Sequence, residues 1–414
     1  MAGRDKTAGA GQAPVRWLSE VRLERFKAAF KPGPVPLRPF NVVIGRNGSG
    51  KSTLLEALQW LDTTIRRDAR DASDRYFGIG DLVNLRSQSD IPSFRLGLTW
   101  TAEETGVPRL RYQVRVEEAA GTPFVAEEEL ASLRVSGHVQ DIYLSTSDKE
   151  RGVRFIRAAP GTGNGSQVLF REPDRLALSL LGSVGGKELD SVASFLEEFW
   201  ARAVFLRLSP NRLADGSLAT RKSFEPLLDE EGQTLPALLN ELPLEQRQEL
   251  VLAIQEILPG IQDVQISKAD LGRDTRVNYS LWEKMPYRGR SGRSRFPIPS
   301  WMLSEGTRRI TAILALLARD PAPSLLCIEE IENGLDPWTV QAILNHLQSA
   351  ADRGTQVILT THSPWVLDYV PIDSILQVIR VEGDTRYLHF ASRPEIQAFA
   401  PSVPAGTRYI HAHE

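Results

Sequence analysis

The octapeptide Gly45-Arg46-Asn47-Gly48-Ser49-Gly50-Lys51-Ser52 constrains this chain more than any other segment. It fits G-x-x-x-x-G-K-[ST] without a mismatch. A compact apolar run, residues 40–44, enters the turn, and Leu54, Leu55, Leu58 and Leu61 share one face of the helix-like segment that leaves it. A strand, a Gly-rich turn and a helix in that order form a cradle for phosphate. Glycines let backbone N–H groups turn inward at the positive end of the helix. The expected contacts are Gly45, Asn47, Gly48, Ser49, Gly50, Lys51, Ser52 and Thr53. Lys51 is placed to reach β- and γ-phosphates, and the Ser52 hydroxyl to ligate Mg²⁺. A plain turn has no need of Lys-Ser at its end.

A second feature lies far downstream. Ser324-Leu325-Leu326-Cys327-Ile328-Glu329-Glu330 reads as a strand covered on both faces and ending in two carboxylates. That end is where α/β sheets bind ligands. Glu329 suits the Mg²⁺ shell, and Glu330 suits orienting and deprotonating an attacking water. The plainer alternative is an acid pair capping the next helix. Asn333-Gly334-Leu335-Asp336-Pro337 is a turn, with Asp336 as N-cap and Pro337 at the first helical position. Another β-run, residues 356–361, ends in His362-Ser363-Pro364. A lone His after a strand is usually structural. Here a neighbouring strand end sets His362 at the sheet edge with Glu330, where it can sense a γ-phosphate.

Composition narrows the class. The net charge of −3 excludes a nucleic-acid binder driven by overall charge, though not a local basic patch. Apolar residues at 42% and charged residues at 24% exclude wholesale disorder. There is no apolar run of the ~18–20 residues a membrane span needs, no signal-like N-terminus, and one cysteine, Cys327. A cytoplasmic protein with no membrane partner is expected.

Residues 1–14 read as a disordered tail and 15–414 as one head: 15–90 around the phosphate loop, 91–300, and 301–414. Phe94, Leu96, Leu98 and Trp100, then Leu110, Tyr112, Val114 and Val116, alternate with polar residues. Strand-like pieces near 132–136 and 152–157 extend this into an antiparallel meander. Residues 189–200 and 235–257 carry helical spacing, and strands follow near 261–267 and 275–282. From Leu303 onward helices and strands alternate, as in a parallel α/β sheet.

Leu303-Ser304-Glu305-Gly306-Thr307 opens a helix with Ile310, Ile313, Leu314 and Leu317 on its apolar face. With the phosphate loop, the acidic strand, the Gly-Leu-Asp turn and His362, it resembles the motif order of an ABC-type ATPase. The chain further resembles the RecF/SMC-related ATPases of bacteria, the group that includes the ATPase half of OLD-family nucleases. Leu23 to Phe26 leading to the loop, Leu303 to Arg309, and Ile328 to Pro337 with Thr360 to Pro364 carry this likeness. The resemblance implies a P-loop ABC-ATPase head: a parallel core sheet, an N-terminal antiparallel β lobe and a helical insertion. It implies ATP and Mg²⁺ as ligands. It also implies a homodimer in which Ser304 and Gly306 of one subunit cap the γ-phosphate held by the other, with Asp336 nearby. Ile331 stands where the group usually has Pro, and Asp336 where it often has His. Gln88 is the candidate, by position, for the glutamine that senses Mg²⁺.

Weaker signals remain. Arg288, Arg290, Arg293 and Arg295 share a loop that could meet DNA or RNA backbone, or simply be solvated. Arg66, Arg67 and Arg70, interleaved with Asp68 and Asp71, read as a salt-bridged face. His411 and His413 read as a loose tail. The expected function is an ATP-driven switch serving DNA repair or anti-phage defence, with a separately encoded nuclease or toxin effector. A transporter energy subunit and a nucleotide-gated scaffold with little turnover are the alternatives.

Overall fold

The computed structural model describes residues 16–87, 91–102, 104, 107–150, 153–158, 167–170, 172–181, 187–220, 225–272, 274–288 and 292–412. The 94–116 alternation belongs to a large antiparallel sheet. Its strands are β1 (Arg16–Glu24), β2 (Pro34–Pro36), β4 (Ser93–Ala102), β5 (Arg109–Ala119), β6 (Thr122–Leu133), β7 (Val139–Glu150), β8 (Val153–Ala158) and β9 (Gln167–Phe170), in the order β2-β1-β4-β5-β6-β7-β8-β9. One face is apolar: Phe94, Leu96, Leu98, Trp100, Leu110, Tyr112, Val114 and Val116 are all buried. The other carries cross-strand ion pairs such as Arg95–Glu127 at 2.8 Å and Arg111–Glu129 at 2.8 Å, as expected where one face is wet.

The core sheet runs β10 (Ala203–Leu206), β15 (Leu325–Ile328), β16 (Gln356–Thr361), β3 (Phe40–Gly45), β17 (Ile375–Val381) and β18 (Asp384–His389) in that order. Its first five strands are parallel, and β18 closes one edge antiparallel. Every residue of β3, β10, β15 and β16 is buried, because helices and the first sheet cover both faces. Helix α1 (Lys51–Arg66) sits between the two sheets, with Trp60 edge-on to Phe94 at 5.1 Å. Helix α2 (Ala69–Asp74) follows it, and α3 (Lys187–Ala201) precedes β10.

A third sheet pairs β11 (Ser217–Leu218), β13 (Asp274–Lys284) and β12 (Ile261–Leu271), with β14 (Arg295–Pro299) on β13. It packs with α4 (Leu235–Glu241) and α5 (Leu244–Ile257). The signature helix is α6 (Glu305–Leu317); α7 (Pro337–Asp352) links β15 to β16; α8 (Pro394–Gln397) and α9 (Ala405–His411) finish the described chain.

Four expectations change. Residues 134–138 form the β6–β7 turn, closed by Arg134 N–H to the His138 carbonyl at 2.9 Å. The 235–257 helix is two helices. Pro243 has no N–H and forces Leu242 into an extended conformation, which ends the first. Arg66 is not on a surface face: it pairs with buried Asp62 and caps the Trp200 and Ala203 carbonyls. His411 belongs to helix α9 rather than to a tail. Arg67 and Arg70 do form surface ion pairs, with Asp71 and Asp174. Residues 1–14, Gln88, Arg290 and His413 lie outside the described residues.

Candidate functional site

The Gly-rich turn leaves β3 and enters α1 through Gly50, whose φ of 104° is left-handed. A side chain there would also meet Thr385 Oγ1 at 2.5 Å, so glycine is required on two counts. Arg46, Asn47, Gly48 and Ser52 are exposed around the turn, whereas Ser49, Lys51 and Thr53 point inward. Lys51 Nζ donates to the Gly45 carbonyl at 2.7 Å and the Arg46 carbonyl at 3.1 Å, inside the loop. Burial lowers its pKa, and the charges of Glu330, Glu332 and Glu329 work against that. Those three carboxylates thus act on the loop lysine, although 278 or more residues separate them from it in sequence.

The acids follow β15 at the same edge. Glu330 has a left-handed φ of 50°, uncommon for a residue with a side chain. Its N–H donates to Thr360 Oγ1 at 2.9 Å on β16, and its carboxylate accepts from Asn333 Nδ2 and lies 3.4 Å from His362 Nε2. His362 itself is held by its backbone: its N–H donates to Glu332 Oε1 at 2.7 Å. The strand pattern expects Glu330 and His362 at one sheet edge, and in the structure their side chains are 3.4 Å apart there. Glu329 is more enclosed. Burial raises its pKa, Arg207 opposes the rise at 3.7 Å, and Glu56, Glu230 and Glu330 reinforce it. A cavity of about 510 Å³ lies against both acids, walled also by Arg75, Arg207, Arg309 and Glu230.

Ser304 is the N-cap of α6, its Oγ accepting the Thr307 N–H at 3.1 Å, and it is exposed. Gly306 packs so tightly on the next motif that a Cβ would stand 2.9 Å from the Gly334 carbonyl. Asp336 caps α7 through the Trp338 and Thr339 N–H groups at 3.1 Å each. The hydrogen bonds of Thr339 hold its carboxyl below the usual range. Ser304 and Gly306 at the head of α6 and Asp336 at the head of α7 lie on either side of the Gly306–Gly334 contact.

Sequence reasoning missed Arg207, Thr385 and Tyr387, and it gave no role to Thr360, Glu332 and Asn333 although they lie within the quoted motifs. The first three sit in no recognised spacing and reach the site through strand order. Arg207 follows β10 as Glu329 follows β15, since Leu206 registers with Ile328. Among the described residues no group of three or more His, Cys, Asp or Glu side chains could hold a metal alone. Mg²⁺ typically takes few protein ligands and completes its shell with phosphates and water. The exposed Ser52 hydroxyl, Glu329 and the buried, unpartnered Ser49 Oγ beside a cradle that a Cβ would fill are fitted to a Mg-nucleotide.

A parallel sheet carrying a phosphate loop, a two-acid strand end and a histidine at one edge defines a P-loop ATPase head of the AAA/ABC type. The chain belongs to the family described as "AAA domain, putative AbiEii toxin, Type IV TA system", whose model matches residues 40–170 and 210–368. Among solved structures it is similar to an Smc head domain with an extended coiled coil from Pyrococcus furiosus, bound to the C-terminal domain of ScpA. That match has 13% identity and a TM-score of 0.50, covering 90% of this chain and 96% of that one. The SMC head domain of Thermotoga maritima matches at 15% identity and TM-score 0.43, covering 90% of this chain and 98% of that one. These are likenesses of fold. No curated protein matches the sequence. No helix among the described residues is long and apolar enough to cross a membrane.

Proposed function

We propose that this chain is an ATP-hydrolysing switch: two copies close around two ATP molecules, and hydrolysis lets them part. The observation that carries the reading is the 3.4 Å approach of Glu330 to His362 at the sheet edge where the Glu329, Glu330 and Glu332 charges act on Lys51. In this reading Lys51 neutralises the β- and γ-phosphates, and Ser52 and Glu329 hold Mg²⁺, with Gln88 as a further candidate. Bound Mg²⁺ supplies charge neutralisation at the phosphates. Glu330 orients the attacking water and takes its proton, and His362 contacts the γ-phosphate side of the site.

The second half of each site comes from the partner copy through Ser304, Gly306 and Asp336. Exposed Trp301 and Met302 just before Ser304, and exposed Trp338 just after Asp336, support a protein-facing surface there. The output is anti-phage defence or DNA repair through a separately encoded effector. The wording of the family description supports a toxin–antitoxin setting for this output. Arg288, Arg293 and Arg295 remain the candidate contact for DNA or RNA.

Glu330→Gln tests the reading. It should keep ATP binding, lower turnover by about 10²-fold, the scale of a lost general base, and trap an ATP-bound dimer. Wild-type phosphate release by this variant would remove Glu330 from the base role.

A further inference from the structure

Two hydroxyl side chains that no motif pointed to hold the phosphate loop from beneath. Thr385 and Tyr387 are two apart on β18, so they share a face. Thr385 Oγ1, with one proton to give, lies 3.0 Å from the Ser49 carbonyl and 3.1 Å from the Ala28 carbonyl, and the Ser49 contact is the shorter and the more buried. The Tyr387 hydroxyl donates to the Gly50 carbonyl at 2.8 Å. Both side chains are buried, so the two bonds are largely shielded from bulk water. Ser49 and Gly50 are the two residues that lead into the head of α1.

A trans peptide unit is planar, and its C=O and N–H point to opposite sides. A hydroxyl that draws the Ser49 carbonyl toward β18 therefore turns the Gly50 N–H away from β18. Drawing the Gly50 carbonyl does the same for the Lys51 N–H. These N–H groups stand at the start of α1, where no helical partner exists and an anion is favoured. We propose that Thr385 and Tyr387 are positioning residues of the ATP site, which aim the Gly50 and Lys51 N–H groups at the nucleotide phosphates. This rests on the reading of residues 45–52 as the ATP cradle.

The same hairpin fixes a second wall. Asp384 accepts the Phe30 and Lys31 N–H groups at 2.8 and 3.0 Å, and Arg386 donates to the Lys31 carbonyl at 3.0 Å. Arg86 binds the Glu382 carbonyl at the hairpin tip. One edge strand of the core sheet thus sets the phosphate loop and the 25–31 loop in a common frame.

Three variants test the assignment: Thr385→Val, which exchanges the hydroxyl for a methyl; Thr385→Ser, which keeps it; and Tyr387→Phe, which removes the hydroxyl alone. The readouts are the dissociation constant for Mg-ATP, by direct titration, and the melting midpoint without nucleotide. Thr385→Val and Tyr387→Phe should each weaken ATP about fivefold, the scale of one hydrogen bond. Thr385→Ser should bind as the wild type does, and Tyr387→Phe, which leaves the Gly50 carbonyl without its donor, should lower the midpoint modestly while staying folded at the titration temperature. Wild-type affinity in Thr385→Val and Tyr387→Phe would overturn the proposal. So would a Thr385→Ser protein as weak as Thr385→Val, since packing rather than the hydroxyl would then be at work. If Thr385→Val does not fold, Tyr387→Phe decides alone. Unchanged ATP affinity in Lys51→Ala would instead remove the cradle reading on which the assignment stands.

Discussion

Asp62 is buried in α1, with both carboxylate oxygens 2.9 Å from Arg66 Nε. Burial nevertheless pushes its pKa up to about 6, because losing water costs the charged form more than the guanidinium returns. The folded state therefore binds the Asp62 proton more tightly than the unfolded chain, where the value is 3.8. Its contribution to stability is full below pH ~4 and is lost as pH rises through ~6. A two-unit difference is worth about 3 kcal/mol at most. Chemical unfolding at pH 4 and pH 7 should show the wild type losing stability relative to Asp62→Asn as pH rises. Parallel curves for the two proteins would mean that Arg66 holds Asp62 ionised throughout. The residue scale also explains why Glu330 and Glu329 differ: adjacent in sequence, one turns left-handed toward His362, the other stays enclosed beside Arg207.

Helix α7 joins stability to the candidate interface. Asp336 caps it with two N–H bonds and a third from Thr339 Oγ1 at 2.6 Å. Asp336→Ala should lower the unfolding free energy by about 1 kcal/mol, a typical N-cap loss, and leave ATP affinity of the monomer unchanged. A denaturant midpoint equal to the wild type would show the cap to be idle. This helix start was legible because Asp-Pro is local chemistry. So were the phosphate loop, the two-acid strand end and the parallel sheet from Leu303 onward, each carried by contiguous residues. Long-range pairing was not legible. Four-residue β10 holds too few residues for a periodic signal, yet it places Arg207 beside Glu329. β18 was expected as a strand, but nothing local reveals that Thr385 reaches Ser49 across 336 residues. The split at Pro243 was available from proline chemistry and was overridden by the leucine spacing on either side.

At the scale of the whole molecule, the proposed shared site draws on two sets of residues. Lys51, Ser52, Glu329, Glu330 and His362 occupy one edge of the core sheet, and Ser304, Gly306 and Asp336 form the other set, flanked in sequence by exposed Trp301 and Trp338. If the second set completes the site of a second copy, isologous contact builds two equal sites across a two-fold axis. Ser304→Arg sets a bulky cation at the head of α6, where the partner's γ-phosphate would meet the helix N-terminus. It should leave ATP binding to the monomer nearly intact and block both dimerisation and hydrolysis. Lys51→Ala should be inactive for the opposite reason, since its own loop no longer holds the phosphates. In a mixed dimer, the Ser304→Arg chain supplies an intact Lys51 and the Lys51→Ala chain an intact Ser304, so one of the two sites is whole. Mixing the two inactive proteins with ATP should therefore restore phosphate release, and restored activity should fall on dilution as the pair separates. A mixture as inactive as its parts, together with wild-type specific activity independent of protein concentration and a monomeric mass in ATP, would place the complete site within a single chain.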